Sequence, residues 1–177
     1  AELCAMHVVP ALSHWMSAHR ALSIYLETTE QNVDVLDGRV DIQLRLDQQM
    51  HDQNVEVIAL LQIEQILVAA PSYINQSALV SKPEDLKNHD VLSLSQFSQD
   101  RHFSFQHVST AQKVEFELES RLITNSSLVA KSISLQGSGI AKISYLDVQK
   151  DLISGALVEV LPEWKLQPLT LYAVIPK

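Results

Sequence analysis

Between Val33 and Arg45 the chain reads V-D-V-L-D-G-R-V-D-I-Q-L-R, and its hydrophobic period changes half-way along. Val33 and Leu36 stand three apart, the spacing of a buried helix stripe. After Gly38, Val40, Ile42 and Leu44 alternate with Asp41, Gln43 and Arg45, the spacing of a strand with one buried face. A glycine at the junction suits the positive φ that ends many helices. The pattern predicts a short helix turning at once into a strand, as in α/β domains.

Upstream, Leu3, Met6, Val9, Leu12 and Met16 form one stripe and predict a helix over residues 3–19. Pro10 removes a backbone donor inside it, which predicts a bend or a late helix start. Leu22, Ile24 and Leu26 then alternate, predicting a strand over 21–27. Strand–helix–strand order implies parallel pairing through a right-handed crossover.

Downstream, strands are expected over 55–61 and 65–70, and Pro71-Ser72-Tyr73 ends the second and opens a helical turn. Lys82-Pro83-Glu84-Asp85-Leu86 is another helix start, with proline at the first position and acids in the first turn. Strands over 91–94, 103–107 and 114–119 surround a polar loop over 95–101. Asn125-Ser126-Ser127 offers capping side chains before Leu128, Val129 and Ile133, and Gly137 closes that helix. A strand over 140–144, a helix marked by Tyr145, Val148 and Leu152 and ended by Gly155, and strands over 157–161 and 169–175 complete the chain. Alternating β and α segments without a fixed repeat give an α/β class.

Composition narrows the picture. A chain of 177 residues, 46% hydrophobic and 19% charged, buries enough surface to fold without staples. Four glycines and six prolines leave no room for long low-complexity stretches. The net charge of −8 lacks the basic footprint of a nucleic-acid-binding domain. No apolar run reaches the ~18 residues of a membrane span. The first ten residues carry Glu2 and no basic start, unlike a secretory signal, although a mature exported chain would also lack one.

Several chemical signals dissolve on inspection. His7, His14 and His19 stand seven and five apart, not at the i, i+4 spacing of a zinc pair. His51-Asp52 and His89-Asp90 sit among polar loop residues. Gly137-Ser138-Gly139 follows a helix instead of a strand and lacks a following Lys-Ser/Thr, so it reads as a turn and not a phosphate loop. Cys4, the single cysteine, has no activating neighbour and excludes an internal disulfide. No Ser-His-Asp or paired-carboxylate arrangement stands out, so no enzyme, metal or cofactor is expected.

Five stretches in fixed order resemble the effector-binding domain of LysR-type transcriptional regulators. They are V-V-P-A-L-S-H-W-M-S-A-H from Val8, the helix–turn–strand ending at Arg45, and Leu67-Val68-Ala69-Ala70-Pro71-Ser72-Tyr73 with K-P-E-D-L-K-N-H-D from Lys82. The fourth is T-N-S-S-L-V-A-K-S-I-S-L-Q-G-S-G-I-A from Thr124. The last is G-A-L-V-E-V-L-P-E-W from Gly155, leading into P-L-T-L-Y-A-V-I-P from Pro168. Three positions depart from the family's habits: Asp47 where glycine is frequent, Lys142 within its strand, and Ser144 where proline is common.

The resemblance implies an α/β fold of two Rossmann-like subdomains joined by two crossover strands, of the type 2 periplasmic-binding-protein-like kind. Residues 1–69 with 166–177 would form the first subdomain and 70–165 the second. It places a first strand before Ala1, a last helix after Lys177 and a winged helix-turn-helix that binds DNA outside this sequence. It further implies a bacterial, cytoplasmic homodimer or homotetramer, with no membrane partner, whose small-molecule effector sits in the inter-subdomain cleft.

Cleft geometry then nominates Arg45, whose planar fork suits a carboxylate, with its neighbour Asp47. Asn125 and Ser126 are nominated at a helix start, and Ser95, Gln96 and Ser144 at other strand ends. Asn125 and Ser126 also fit plain helix capping, and Arg45 could pair with a nearby acid. Val9, Leu12 and Met16 would face the partner subunit, or pack on their own sheet. A solute-binding protein of a transport system shares the implied fold and is the alternative.

Overall fold

The computed structural model describes residues 2–29, 33–46, 53–94 and 101–177. It divides into two compact units, Ala1–Asn32 and Val33–Lys177. In the first, a π-helical segment Cys4–Val8 runs into helix α1 (Val9–Ala18). Pro10, in the first turn of α1, sets this change of pitch. It has no N–H to donate, and its ring crowds the carbonyl four residues earlier. The backbone widens ahead of it, and the Val9 N–H reaches back five residues to the Cys4 carbonyl. The helix is already formed at Glu2 and Leu3, so it does not start late; the segment ahead of Pro10 is a widened turn within it.

The strand expected over 21–27 is not formed. Its alternation supplies one apolar face, but a strand also needs a neighbour to take its backbone hydrogen bonds. Among the described residues none pairs with it, and Leu22 and Tyr25 are exposed. The parallel pairing inferred from that strand falls with it. None of the residues of α1 is buried.

In the second unit Asp34 caps a 3-10 turn, Val35–Asp37, its carboxylate accepting from the Leu36 N–H at 2.9 Å. Gly38 follows at φ +77° and releases the chain toward strand β1 (Gln43–Arg45). The helix–glycine–strand unit is therefore present, though both parts are shorter than expected. Strand β1 pairs antiparallel with β11 (Leu169–Pro176), which pairs antiparallel with β2 (Val55–Ile63). The order of this first sheet is β1-β11-β2.

The largest sheet has five strands: β7 (Leu122–Thr124), β4 (Val91–Leu94), β8 (Ile140–Ser144), β3 (Gln65–Ala69) and β9 (Val158–Val160), in that spatial order. β4 runs parallel to β7 and β8, while β3 is antiparallel to β8 and β9. A third sheet, antiparallel, joins β10 (Trp164–Leu166), β5 (His102–His107) and β6 (Lys113–Glu117). β7 and β10 were not foreseen. Three residues are too few to show a period of two, and the sheet neighbour alone makes them strands.

Both faces of the five-stranded sheet are covered. Leu67 and Ala69 of β3 join a core with Leu86, Val91, Phe103, Phe105 and Ile140. Ile66, Val68 and Ala70 point the other way, to Leu92, Ala141, Ile143, Val148 and Leu157. Helices α3 (Ser127–Leu135) and α4 (Tyr145–Ser154) cover this second face through Ile133, Leu135, Tyr145 and Leu152. A short helix α2 (Pro71–Gln76) leaves the end of β3, with Pro71 in its first turn.

Two local devices hold this arrangement. Gly139 adopts φ +152° where the chain crosses Asp90, and a Cβ there would collide with the Asp90 carbonyl oxygen. That carbonyl accepts the Ile140 N–H at 2.8 Å, which starts the β4–β8 pairing. Replacing Gly139 with Ala should therefore destabilise the domain by roughly 2–4 kcal/mol, seen as a lower urea midpoint with an unchanged slope.

The second device is Asp85, in the 3-10 turn Pro83–Asn88. Its carboxylate accepts from the Ser81 N–H at 2.9 Å, the Ser81 hydroxyl at 3.0 Å and the Lys82 N–H at 3.1 Å. These bonds, the Ser81 backbone one foremost, hold its pKa below the ordinary value. A lowered folded-state pKa stabilises above the unfolded value and is lost as pH falls through the folded one. The parent should thus lose more melting temperature than the Asp85→Asn variant when pH is lowered from 6 to about 3.

A candidate ligand site at the carboxyl ends of the central strands

Three neighbouring strands end together. Leu94 of β4 is level with Thr124 of β7, and the β4–β8 register brings Ser144 to the same edge. At about 4.8 Å between strands, the three ends span roughly 10 Å. Two of them lead straight into helices, which is why polar side chains gather here. The β7–α3 connection supplies Thr124, Asn125 and Ser126; the β8–α4 connection supplies Ser144.

Each serine caps its helix. Ser126 Oγ accepts from the Val129 N–H and Ser144 Oγ from the Leu146 N–H, both at 3.2 Å. Thr124 Oγ1 accepts from the Ser126 N–H at 3.2 Å, fixing the turn before α3. Capping, one of the two roles weighed for Ser126, is thus observed, and the same holds for Ser144. Parallel strands with helix starts at their carboxyl ends direct first-turn N–H groups and the positive dipole end toward this edge.

The two helix starts differ in electrostatics. α4 carries Asp147 in its first turn, whereas α3 carries no acid there. An anionic group is therefore better accommodated at α3. Lys131 of α3 ties the helices together, its Nζ donating to the Asp147 carbonyl at 3.1 Å and lying 3.4 Å from Asp151.

Of the nominated residues, the structure brings Asn125, Ser126 and Ser144 to one sheet edge. Arg45 ends β1 in the other sheet, half-buried, opposite Tyr172 of β11. Asp47, Ser95 and Gln96 lie outside the described residues. Lys142 was noted in the sequence only as a departure. It lies on β8 two residues before Ser144, half-buried, with Nζ 4.8 Å from the centre of the Phe103 ring. The alternation of I-A-K-I-S carried the signal, because it sets Lys142 and Ser144 on one strand face.

A surface cavity of about 310 Å³ lies elsewhere, lined by Ile74, Val80, Val158, Val160, Leu161 and Pro162 among others. None of the nominated residues lines it, so it is separate from the sheet edge. Among the described residues no cluster of three or more His, Cys, Asp or Glu could hold a metal ion. No helix among them is long and apolar enough to cross a membrane.

If the serines are caps first, Ser126→Ala and Ser144→Ala should each lower stability by about 1 kcal/mol and leave the fold intact. Thermal melts and near-ultraviolet circular dichroism would check both points.

The chain is similar to known transcriptional regulators. The chain is 27% identical over 168 residues to the transcriptional activator TtdR of Escherichia coli K12, covering 95% of this chain and 53% of that protein. It is 25% identical over 171 residues to an uncharacterized HTH-type transcriptional regulator of Haemophilus influenzae, covering 97% and 58%. The chain thus spans a little over half the length of these curated relatives.

Among solved structures, the regulatory domain of AphB from Vibrio vulnificus matches with a TM-score of 0.81 at 25% identity, covering 98% of this chain and 86% of that one. The full-length Vibrio cholerae virulence activator AphB matches at 0.83 with 21% identity, covering 99% and 59%. Such regulatory domains have the type 2 periplasmic-binding-protein-like fold, which is the fold of this α/β chain. The family described as the LysR substrate binding domain matches residues 1–177 throughout, and the chain belongs to it.

Proposed function

We propose that this chain is the effector-sensing and dimerising part of a LysR-type transcriptional regulator, and that DNA is bound by a winged helix-turn-helix outside this sequence. The family match over all 177 residues carries the reading. It is supported by curated relatives that are transcriptional regulators and about twice as long. The solute-binding alternative shares the fold but not these relatives. A bacterial, cytoplasmic setting accompanies the reading.

The division into residues 1–69 with 166–177 and residues 70–165 is part of the proposal. β3 falls within residues 1–69 but pairs with β8 and β9 in the five-stranded sheet, so we set the first crossover at Glu64 and the second near Gln167 and Pro168. The effector is a small molecule with an anionic or strongly polar group. Asn125, Ser126 and the start of α3 receive that group, with Ser144 and Lys142 beside it. Arg45 and Asp47 act from the first subdomain, and Ser95 and Gln96 from the segment after β4.

Binding works by selection: an effector shifts the subdomain arrangement only by the difference in its affinity for the two states. In a homodimer, or a homotetramer built from it, Val9, Leu12 and Met16 of α1 face the partner's second subdomain. The apolar stripe that they form along α1 supports that role. Dimer geometry would then set the spacing of paired DNA-binding helices.

A thermal-shift screen against a metabolite library tests the reading. One compound class should stabilise the chain in a dose-dependent way, by roughly 2.7 kcal/mol at ~100 times its dissociation constant. Arg45→Ala and Ser126→Ala should each weaken that binding about tenfold or more while remaining folded. Binding equal to the parent in both variants would remove these residues from the site.

A further inference from the structure

The connection between β5 and β6 is closed by a histidine. His107, the last residue of β5, uses its ring Nδ1 to accept from the Ser109 N–H at 3.2 Å and the Thr110 N–H at 3.3 Å. The His107 carbonyl accepts from the Ala111 N–H at 3.0 Å, and the His107 N–H donates to the Gln112 carbonyl at 2.9 Å. This is the geometry of a helix N-cap wrapped round a single turn, a place that Ser, Thr, Asp and Asn ordinarily take. Ala111 closes the turn at φ +56°, a conformation unfavourable for alanine, so the turn depends on these bonds to hold it.

The two accepted N–H groups settle the protonation of the ring. A nitrogen that accepts carries no proton, so Nδ1 is bare and the single proton of the neutral ring is on Nε2. Nε2 lies 3.7 Å from a Glu163 carboxylate oxygen, and the ring stands edge-on to Trp164 with centroids 4.8 Å apart. Trp164 is directly opposite His107 in the β5–β10 ladder. The His107 side chain is 18% exposed, against 75% for Glu163.

Among the described residues, Glu163 is the ionisable group that faces the ring. The turn Val108-Ser109-Thr110-Ala111-Gln112 contains none. On the sheet face that His107 shares, its neighbours across and along the strands are Trp164, Phe105, Leu166 and Val114. Lys113 and Lys165 both oppose Gln106 and so belong to the other face. A pair with a carboxylate as exposed as that of Glu163 is screened by water and is worth little. It also reaches Nε2 alone, so it does not restore what Nδ1 loses on gaining a proton.

We propose that His107 is a proton-operated latch on this turn. Neutral, it caps residues 107–112 and seats them against Trp164. Protonated at Nδ1, the ring presents an N–H to two N–H donors, both cap bonds are lost and the turn opens. An Asn, Ser or Thr cap keeps its acceptor between about pH 8 and about pH 5, whereas imidazole is the side chain that changes charge in that interval. The Val108 N–H donates to the Glu163 carbonyl at 2.9 Å, so opening acts on the chain just ahead of β10. The device does not depend on the effector reading.

Nuclear magnetic resonance of this chain, titrated from about pH 8 to about pH 5, tests the latch. At the upper end the His107 ring nitrogens should report the proton on Nε2. As the ring titrates, the Ser109 and Thr110 amide protons should shift upfield together, toward the values of water-exposed amides. Those of Leu67 and Val68 in β3 should stay fixed, showing that the fold is intact. His107→Asn keeps a capping acceptor that does not titrate, and its Ser109 and Thr110 amides should hold their positions. A proton on Nδ1 at the upper end, a ring still neutral at the lower end, or amides that hold still while the ring titrates would each overturn the proposal. So would an equal shift in His107→Asn.

Discussion

Residues 65–70 carry no charge and every one of them is buried, so water cannot satisfy their backbone N–H and C=O groups. β3 must be hydrogen-bonded on both edges, and β8 and β9 supply those bonds. The side chains of β3 then have to find cores on both sides of the sheet, because they alternate and all are apolar after Gln65. That requirement calls in Phe103 and Phe105 from the neighbouring sheet on one face, and α3 and α4 on the other. One strand's intolerance of water thus accounts for the layering about the five-stranded sheet.

The candidate site follows from the same constraint. A helix that covers a parallel strand must begin where that strand ends, so α3 and α4 start at one edge of the sheet. Helix starts need capping oxygens, and Ser126 and Ser144 provide them. Structural polar groups therefore accumulate where a ligand also finds exposed donors and a favourable dipole. Capping and binding are compatible, since both draw on the same helix-start geometry.

Much of this was legible in the residues. The limits of β8 follow from the apolar run between Gly139 and the α4 stripe, and the ends of α3 and α4 follow from Ser126, Ser144 and Gly155. Pro10 was legible as a disturbance of the helix but not as a π-turn, because proline states which bond is lost and not how the backbone repairs it. Lys142 could be read only as an oddity, for its seat over Phe103 joins residues thirty-nine positions apart.

By itself the sequence determined most of the segments that form strands and helices where a period of two or of 3.6 ran for several residues. It also determined where glycine, proline and serine interrupt them, and which family the chain resembles. Only the tertiary structure decided pairing. Residues 21–27 alternate as well as any strand yet form none, while Leu122–Thr124 and Trp164–Leu166 show no pattern and do. The physical reason is that side-chain burial can be read along one segment, whereas a strand exists through hydrogen bonds to a neighbour distant in sequence.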